Sequence, residues 1–306
     1  MQKIVPCLWF NNNTEEAINF YISAFSKLSN VGDSQIISID RYPDPVPLDF
    51  MKGMEGKVIT AIFEVAGFRF MALDGGPQFN ITPAISFFIN CHSESELDTL
   101  WETLLEGGTA LMPLGSYPFS EKYGWLQDKF GVSWQIILEE APTEQTIVPS
   151  LMFVGEQAGN AEEAINLYAD LLNNARVGDI MRYGAEQAPD EEGTVMFAEF
   201  FLENQKFTAM DSAHEHHFNF TEAVSFYVEC ADQAEVNRLW DALTAVPESE
   251  QCGWLKDKYG VSWQIIPIQL GQLMSDPDPV KSRRVMDAML QMKKIDVAQL
   301  QAAYDA

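Results

Sequence analysis

Residues 123–137 read Tyr-Gly-Trp-Leu-Gln-Asp-Lys-Phe-Gly-Val-Ser-Trp-Gln-Ile-Ile, and residues 252–266 read Cys-Gly-Trp-Leu-Lys-Asp-Lys-Tyr-Gly-Val-Ser-Trp-Gln-Ile-Ile. Only three of these fifteen positions differ. Working outward, Glu15-Glu-Ala-Ile-Asn-Phe-Tyr21 returns as Glu162-Glu-Ala-Ile-Asn-Leu-Tyr168, Ala84-Ile-Ser-Phe-Phe88 as Ala223-Val-Ser-Phe-Tyr227, and Trp101 as Trp240. Matches that keep their order along the chain mark a tandem duplication. The spacing shrinks towards the C-terminus, so the second copy carries shorter loops, chiefly where residues 107–122 stand in the first. The polar, Pro-containing stretch 139–146 suits a linker. Expected spans are 1–140 and 147–268 for the two copies and 269–306 for a tail of different composition.

Each copy reads as β-α-β-β-β twice over, an α+β pattern. In the first, residues 3–10 form a short apolar strand. Asn13 and Glu16 then have capping-box spacing, and Ala17, Phe20, Tyr21, Ala24 and Phe25 recur at helical period. Strands follow at 35–42, 58–65 and 68–73, with Ala66-Gly67 as a hairpin turn. The pattern restarts at 84–91. Ser93 and Glu96 give a second capping box, Leu97, Leu100, Trp101, Leu104 and Leu105 a second stripe, and Gly107-Gly108 a stop. Asn160 and Glu163 repeat the first capping box in the second copy.

Composition narrows the function classes. A hydrophobic content of 47% excludes a disordered chain, and the richest apolar stretch, 58–73, is interrupted by Glu64 and Arg69, so no bilayer span is expected. The net charge of −26 repels phosphate backbones and anionic lipid, so neither nucleic acid nor a membrane is expected as partner. Cys7, Cys91, Cys230 and Cys252 show no CxxC spacing and no disulfide density, which points to a cytoplasmic protein.

The element order, with Glu-Glu-Ala-Ile-Asn-Phe-Tyr after the first strand and the Gly-Trp-Leu motif at the end, resembles the vicinal-oxygen-chelate superfamily of glyoxalase I, bleomycin-resistance proteins and extradiol dioxygenases. Ala72-Leu-Asp-Gly-Gly-Pro77 together with Gly-Trp-Leu is similar to the PhnB-like branch, whose members often carry a demethylubiquinone methyltransferase label. The resemblance implies four βαβββ modules paired into two open barrels, followed by a helical tail. It also implies a pseudo-dimer within one chain, with a further homodimer open, and a cleft metal held by His and Glu on the first and last strands of the modules.

Carried onto this sequence, those ligand positions are Pro6, Ala84 and Gln135, then Pro149, Ala223 and Gln264. Proline and alanine have no ligand atom, and an amide is a weak donor, so no metal and no other cofactor is expected. Asp74 and Asp211 are the acidic candidates for the fourth position. His214-Glu215-His216-His217 reads as a polar loop rather than a metal centre, because adjacent loop residues rarely converge on one ion.

Strand alternation places Ser86 and Phe88 on the face of Ala84, Ser133 on that of Gln135, and Leu8 and Phe10 on that of Pro6. The second copy contributes Leu151, Phe153, Ser225, Tyr227, Ser262 and Gln264. These residues would line an apolar cleft with a few hydroxyl and amide groups, the profile of a small-molecule site. Trp134 and Trp263 point to the opposite face and read as core, as do Trp101 and Trp240 on their helical stripes; Trp125 and Trp254 stay open.

The expected function is metal-independent binding of a small hydrophobic or aromatic molecule, to sequester or sense it. The alternative is a metal-independent enzyme with Asp74 or Asp211 as general acid or base. Methyl transfer is not expected, since no Gly-x-Gly occurs anywhere in the chain. In the tail, Val285, Met286, Met289 and Leu290 share a helical face expected to dock on a barrel or a second subunit, and Asp296 with Gln299 caps a last helix.

Overall fold

A computed structural model describes residues 2–306 apart from 29–31, 45, 47–51, 140 and 142, so part of the expected linker 139–146 lies outside the described residues. The first copy supplies β1 (Ile4–Phe10), α1 (Thr14–Phe25), β2 (Gln35–Arg41), β3 (Val58–Val65) and β4 (Phe68–Asp74). Its second module is β5 (Ile85–Cys91), α2 (Glu94–Leu105), β6 (Thr109–Tyr117), β7 (Ser120–Gln127) and β8 (Ser133–Leu138). The second copy supplies β9 (Ile147–Val154), α3 (Ala161–Leu171), β10 (Arg176–Arg182), β11 (Val195–Leu202) and β12 (Gln205–Ser212). It ends with β13 (Val224–Cys230), α4 (Gln233–Leu243), β14 (Trp254–Lys256) and β15 (Ser262–Pro267). Three tail helices follow, α5 (Ile268–Met274), α6 (Pro279–Met289) and α7 (Val297–Asp305).

Two compact units divide the chain, one holding Gln2 and Pro6–Val224, the other Lys3–Val5 and Ser225–Ala306. The larger contains an eight-stranded mixed sheet, β10-β11-β12-β9-β5-β8-β7-β6. Its two halves come from different repeats, β5–β8 from the first copy and β9–β12 from the second, so the spans 1–140 and 147–268 are sequence repeats that do not each close their own sheet. The physical reason lies at β5. Within its own module β5 pairs only with β8, in parallel, which leaves an open edge. After the short connection, β9 fills that edge antiparallel, with Ser86 opposite Ser150 and Phe88 opposite Val148.

The larger unit also holds β4 parallel to β1 and antiparallel to β3, with β2 beyond. Helix α1 buries Ala17, Ile18, Tyr21, Ala24 and Phe25. Tyr21 meets Phe63 and Trp134, and Phe70 meets Phe87, so the core lies on the helix side of the strands. Ser93 caps α2 as expected, its side chain accepting from the Glu96 N–H. Asn13 and Asn160 do not cap through their side chains. Buried carboxylates do related work: Asp211 Oδ1 accepts from the N–H of Gly159 (2.8 Å) and Ala161 (3.1 Å) at the start of α3, and Asp74 from that of Asn12 (3.0 Å).

In the smaller unit β15 lies parallel to β13 and antiparallel to the three-residue β14. Among the described residues no hairpin like β6–β7 stands beside β15. Instead the tail supplies backbone: Cys252 N–H donates to Met292 O and Gly253 N–H to Lys293 O, both at 2.8 Å. Ile266, Leu270, Val285, Ile295 and Leu300 form a buried cluster, with Tyr227 packed against it.

Candidate functional site

The repeated motif is first a knot that fixes a strand pair. Asp128 is buried and accepts four hydrogen bonds: from the N–H of Phe130 (2.8 Å) and Val132 (3.0 Å) on one oxygen, and from Tyr21 Oη and Trp134 Nε1 (both 2.8 Å) on the other. Asp257 repeats this with Tyr259 N–H, Val261 N–H and Trp263 Nε1. The turn needs Gly131, whose φ of +91° is a conformation that side chains resist. With Trp134 drawn into the core by Asp128, its neighbours Ser133 and Gln135 must point to the other face of the sheet.

On that face Gln135 Nε2 donates to Ser86 Oγ (2.7 Å), Tyr123 Oη donates to Gln135 Oε1, and Trp125 Nε1 donates to Ser133 Oγ (2.7 Å). Burial holds the Tyr123 phenol well above its ordinary range. Tyr117 and Phe119 pack around Tyr123, with centroids 5.5 and 5.0 Å away. Phe88 meets Phe197 edge to face at 6.2 Å. Strand register extends a polar row over the same face: Ser133 beside Ser86, Ser86 beside Ser150, Ser150 beside Thr208, and Thr208 beside Glu199.

Of the expected lining residues, Ser86, Phe88, Ser133 and Gln135 thus come together. Leu151 and Phe153 do not. Ser150 pairs with Ser86, so its strand neighbours face the other way; Leu151 pairs with Ile85 on the helix side, and Phe153 packs on Phe220. Phe10 likewise meets Phe130 beside α1, with Leu8 two residues before it on the same side, so both leave the cleft. β9 is buried at all eight positions, so its sequence carries no alternation from which to read a phase. Ser150, Thr208, Phe197, Tyr123 and Trp125 stand on the face instead. For Ser150 and Thr208 the signal available was the comparison between repeats, where Cys7 and Met71 occupy the matching positions.

Asp74 and Asp211 lie on the helix side of their strands, away from Ser86 and Gln135. Asp211 Oδ1 serves the start of α3, its Oδ2 accepts from Val195 N–H (3.0 Å), and it sits beside Phe153 on the helix side. Burial raises its carboxyl against those three hydrogen bonds. Asp74 pairs with Phe10 in the corresponding place.

In the smaller unit Gln264 Nε2 donates to Ser225 Oγ (3.0 Å), and Tyr227 and Ser262 share that face by register. Here the face is covered, because Ile266, next but one to Gln264, and Tyr227 pack into the tail cluster.

The family-type metal set does not fit this chain. Pro6, Ala84, Pro149 and Ala223 have no ligand atom, and Gln135 and Gln264 spend their amides on serines. Among the described residues no three His, Cys, Asp or Glu side chains gather where they could hold an ion. In the 214–217 loop His214 faces Asp190 (3.4 Å) and His216 meets the Ser212 hydroxyl (2.9 Å); burial lowers His216 first, with His214 adding to it.

Comparison with known proteins places the chain. The family model described as 3-demethylubiquinone-9 3-methyltransferase matches residues 2–137 and again 145–266. A PhnB protein from Bacillus cereus is 46% identical over 45% of this chain and 100% of its own, with a TM-score of 0.40. A protein from Pseudomonas aeruginosa is 30% identical over 45% of this chain and 98% of its own, with a TM-score of 0.38. Glyoxalase I from Zea mays, at 12% identity, covers 85% of this chain and 92% of its own with a TM-score of 0.52, a likeness of fold alone. No curated protein matches the chain. With two successive matches that together span most of its length, the chain belongs to the 3-demethylubiquinone-9 3-methyltransferase family, as a tandem member with two copies of the family's domain.

Proposed function

We propose that this protein binds a small hydrophobic or aromatic molecule on the face of its eight-stranded sheet that points away from the helices, without a metal, to sequester or sense it. The observation that carries this is the ring of Phe88, Tyr117, Tyr123, Trp125 and Phe197 around the Gln135–Ser86 pair, apolar walls with a few oriented polar groups. The corresponding face in the smaller unit is filled by the chain's own tail, so one site per chain is expected. Methyl transfer is not part of this reading, because the chain has no Gly-x-Gly phosphate or cofactor loop. The four free thiols, three of them buried, suit a reducing cytoplasm.

The test is titration of the full chain with Nile red, an uncharged apolar dye whose emission rises in an apolar site. Saturation near one equivalent is expected, with Phe88→Ala weakening binding by about tenfold, roughly the 1.4 kcal/mol of one lost aromatic contact. Non-saturating uptake, or a Phe88→Ala protein that binds as well as the parent, would sink the reading.

A further inference from the structure

The polar row draws on both copies, but its Ser150 and Thr208 have no polar counterpart in the first. Ser86, Ser133, Ser150 and Thr208 stand side by side on four adjacent strands, none more than 3% exposed. Ser86 and Ser133 accept from Gln135 and Trp125, which leaves each hydroxyl proton to be directed elsewhere. Thr208 Oγ1 finds no hydrogen-bond partner among the described residues.

The first copy is an internal control for what the fold requires at these positions. There Cys7, Met71 and Ile62 take the places of Ser150, Thr208 and Glu199. The strand register is the same, Ala61 beside Ala72 matching Ala198 beside Ala209. Strands of this kind therefore form with apolar or weakly polar side chains at all three positions. A buried hydroxyl without a partner is a cost that the strand pairing does not demand, and it leaves a donor aimed at this face.

Two rings close over the row. β5 and β11 are separated by β9 and β12 in the sheet, yet Phe88 and Phe197 reach each other at 6.2 Å. A flat ring entering between them would exchange one edge-to-face contact for two ring contacts. Charge is already matched here: Glu199 pairs with Lys206 at 2.5 Å, and Arg176 lies 3.4 Å over the Phe201 ring. The net charge of −26 also disfavours anions.

Resting on the ligand-binding reading above, we propose that the face takes an uncharged, planar aromatic molecule bearing an acceptor oxygen. Its ring lies between Phe88 and Phe197, and its oxygen accepts from the Thr208 hydroxyl, with the neighbouring serine hydroxyls available to a second acceptor atom.

Equilibrium dialysis of the full chain against coumarin and against naphthalene, similar bicyclic molecules with and without oxygen, tests it. The parent protein should hold coumarin at least tenfold more tightly than naphthalene. Thr208→Val, which removes the hydroxyl and keeps the shape, should abolish that preference while its thermal unfolding midpoint stays level or rises; Thr208→Ser should keep the preference. Equal binding of the two molecules by the parent, or a coumarin preference that survives in Thr208→Val, would overturn the proposal and leave the apolar-site reading standing. Failure of both molecules to bind at millimolar concentration, with no saturable Nile red uptake, would overturn both.

Discussion

Asp128 shows how one side chain can hold a motif together. All four of its hydrogen bonds come from groups that are themselves buried or in a tight turn, so an amide is a poor substitute: its NH2 would face two donors. Asp128→Asn should lower stability by about 2–4 kcal/mol in urea unfolding, the range for a broken buried network. Burial pushes the same carboxyl from 3.8 up to about 6, outweighing its hydrogen bonds. A raised value means the folded state holds the proton more tightly than the unfolded state. That stabilisation is full below pH 4 and is lost as pH rises through 6. The thermal midpoint should therefore fall between pH 5 and pH 7, the direction in which the acidic surface also repels itself more; a midpoint that climbs over this range would show that the four donors outweigh burial. The motif's glycines have different reasons in the two copies. A Cβ on Gly124 would stand 2.4 Å from the Trp101 ring, whereas Gly253 has φ +86° and abuts Ile266 and Ile295. The same letter meets a helix tryptophan in one repeat and the tail in the other.

Among the elements, the helices separate spacing from capping. Ser93 accepts the Glu96 N–H, so Ser93→Ala should cost about 1 kcal/mol of stability. Asn13 has the same spacing to Glu16, yet its side chain makes no cap hydrogen bond and accepts from Asn11 N–H at 3.2 Å, in the turn before the helix. Asn13→Ala should change stability by no more than about 0.5 kcal/mol, as surface substitutions do. Paired denaturant curves of the two variants check the contrast, and equal losses would contradict it. Elsewhere the elements were well marked in the sequence. The Ala66-Gly67 hairpin has both residues at positive φ, and the helical stripes of Leu97, Leu100, Trp101 and Leu104 are buried. Strand existence was legible; strand phase was legible only where polar and apolar residues alternate. β5 alternates enough to put Ser86 and Phe88 on one face, while the apolar run of β9 gives no phase for Leu151 and Phe153, which lie on the other.

Across the whole molecule, duplication has not produced two equal copies. The first carries the β6–β7 hairpin, with Tyr117 and Phe119 by its turn; the second shows no such hairpin among the described residues and packs the tail helices there. Val285 is fully buried in that tail cluster. Val285→Asp should cost about 3 kcal/mol, as an unpaired buried charge does, and should loosen α5–α7. The measurement is limited trypsin digestion, with cleavage expected to quicken at Lys281, Arg283, Arg284, Lys293 and Lys294. The half-exposed Cys252, whose backbone N–H the tail holds, should also react faster with a thiol reagent. An unchanged digestion pattern would mean that the tail is not held by this cluster. No helix among the described residues is long and apolar enough to cross a membrane.

The sequence by itself determined the duplication, the βαβββ order, the family and the lack of a ligand atom at Pro6, Ala84, Pro149 and Ala223, because each of these is written in residue type and spacing along the chain. It also set Ser133, Gln135, Ser86 and Phe88 on one face, since local alternation and the Asp128 knot fix which way they point. Only the tertiary structure decided that β9 pairs with β5, so that one sheet draws on both repeats, and that the tail covers the face carrying Tyr227. It alone turned Asp74 and Asp211 toward backbone amides and brought Ser150 and Thr208 into a row with Ser86. Open strand edges and apolar faces specify that they must be covered, but which segment covers them depends on contacts between residues far apart in the chain, and no local pattern records those.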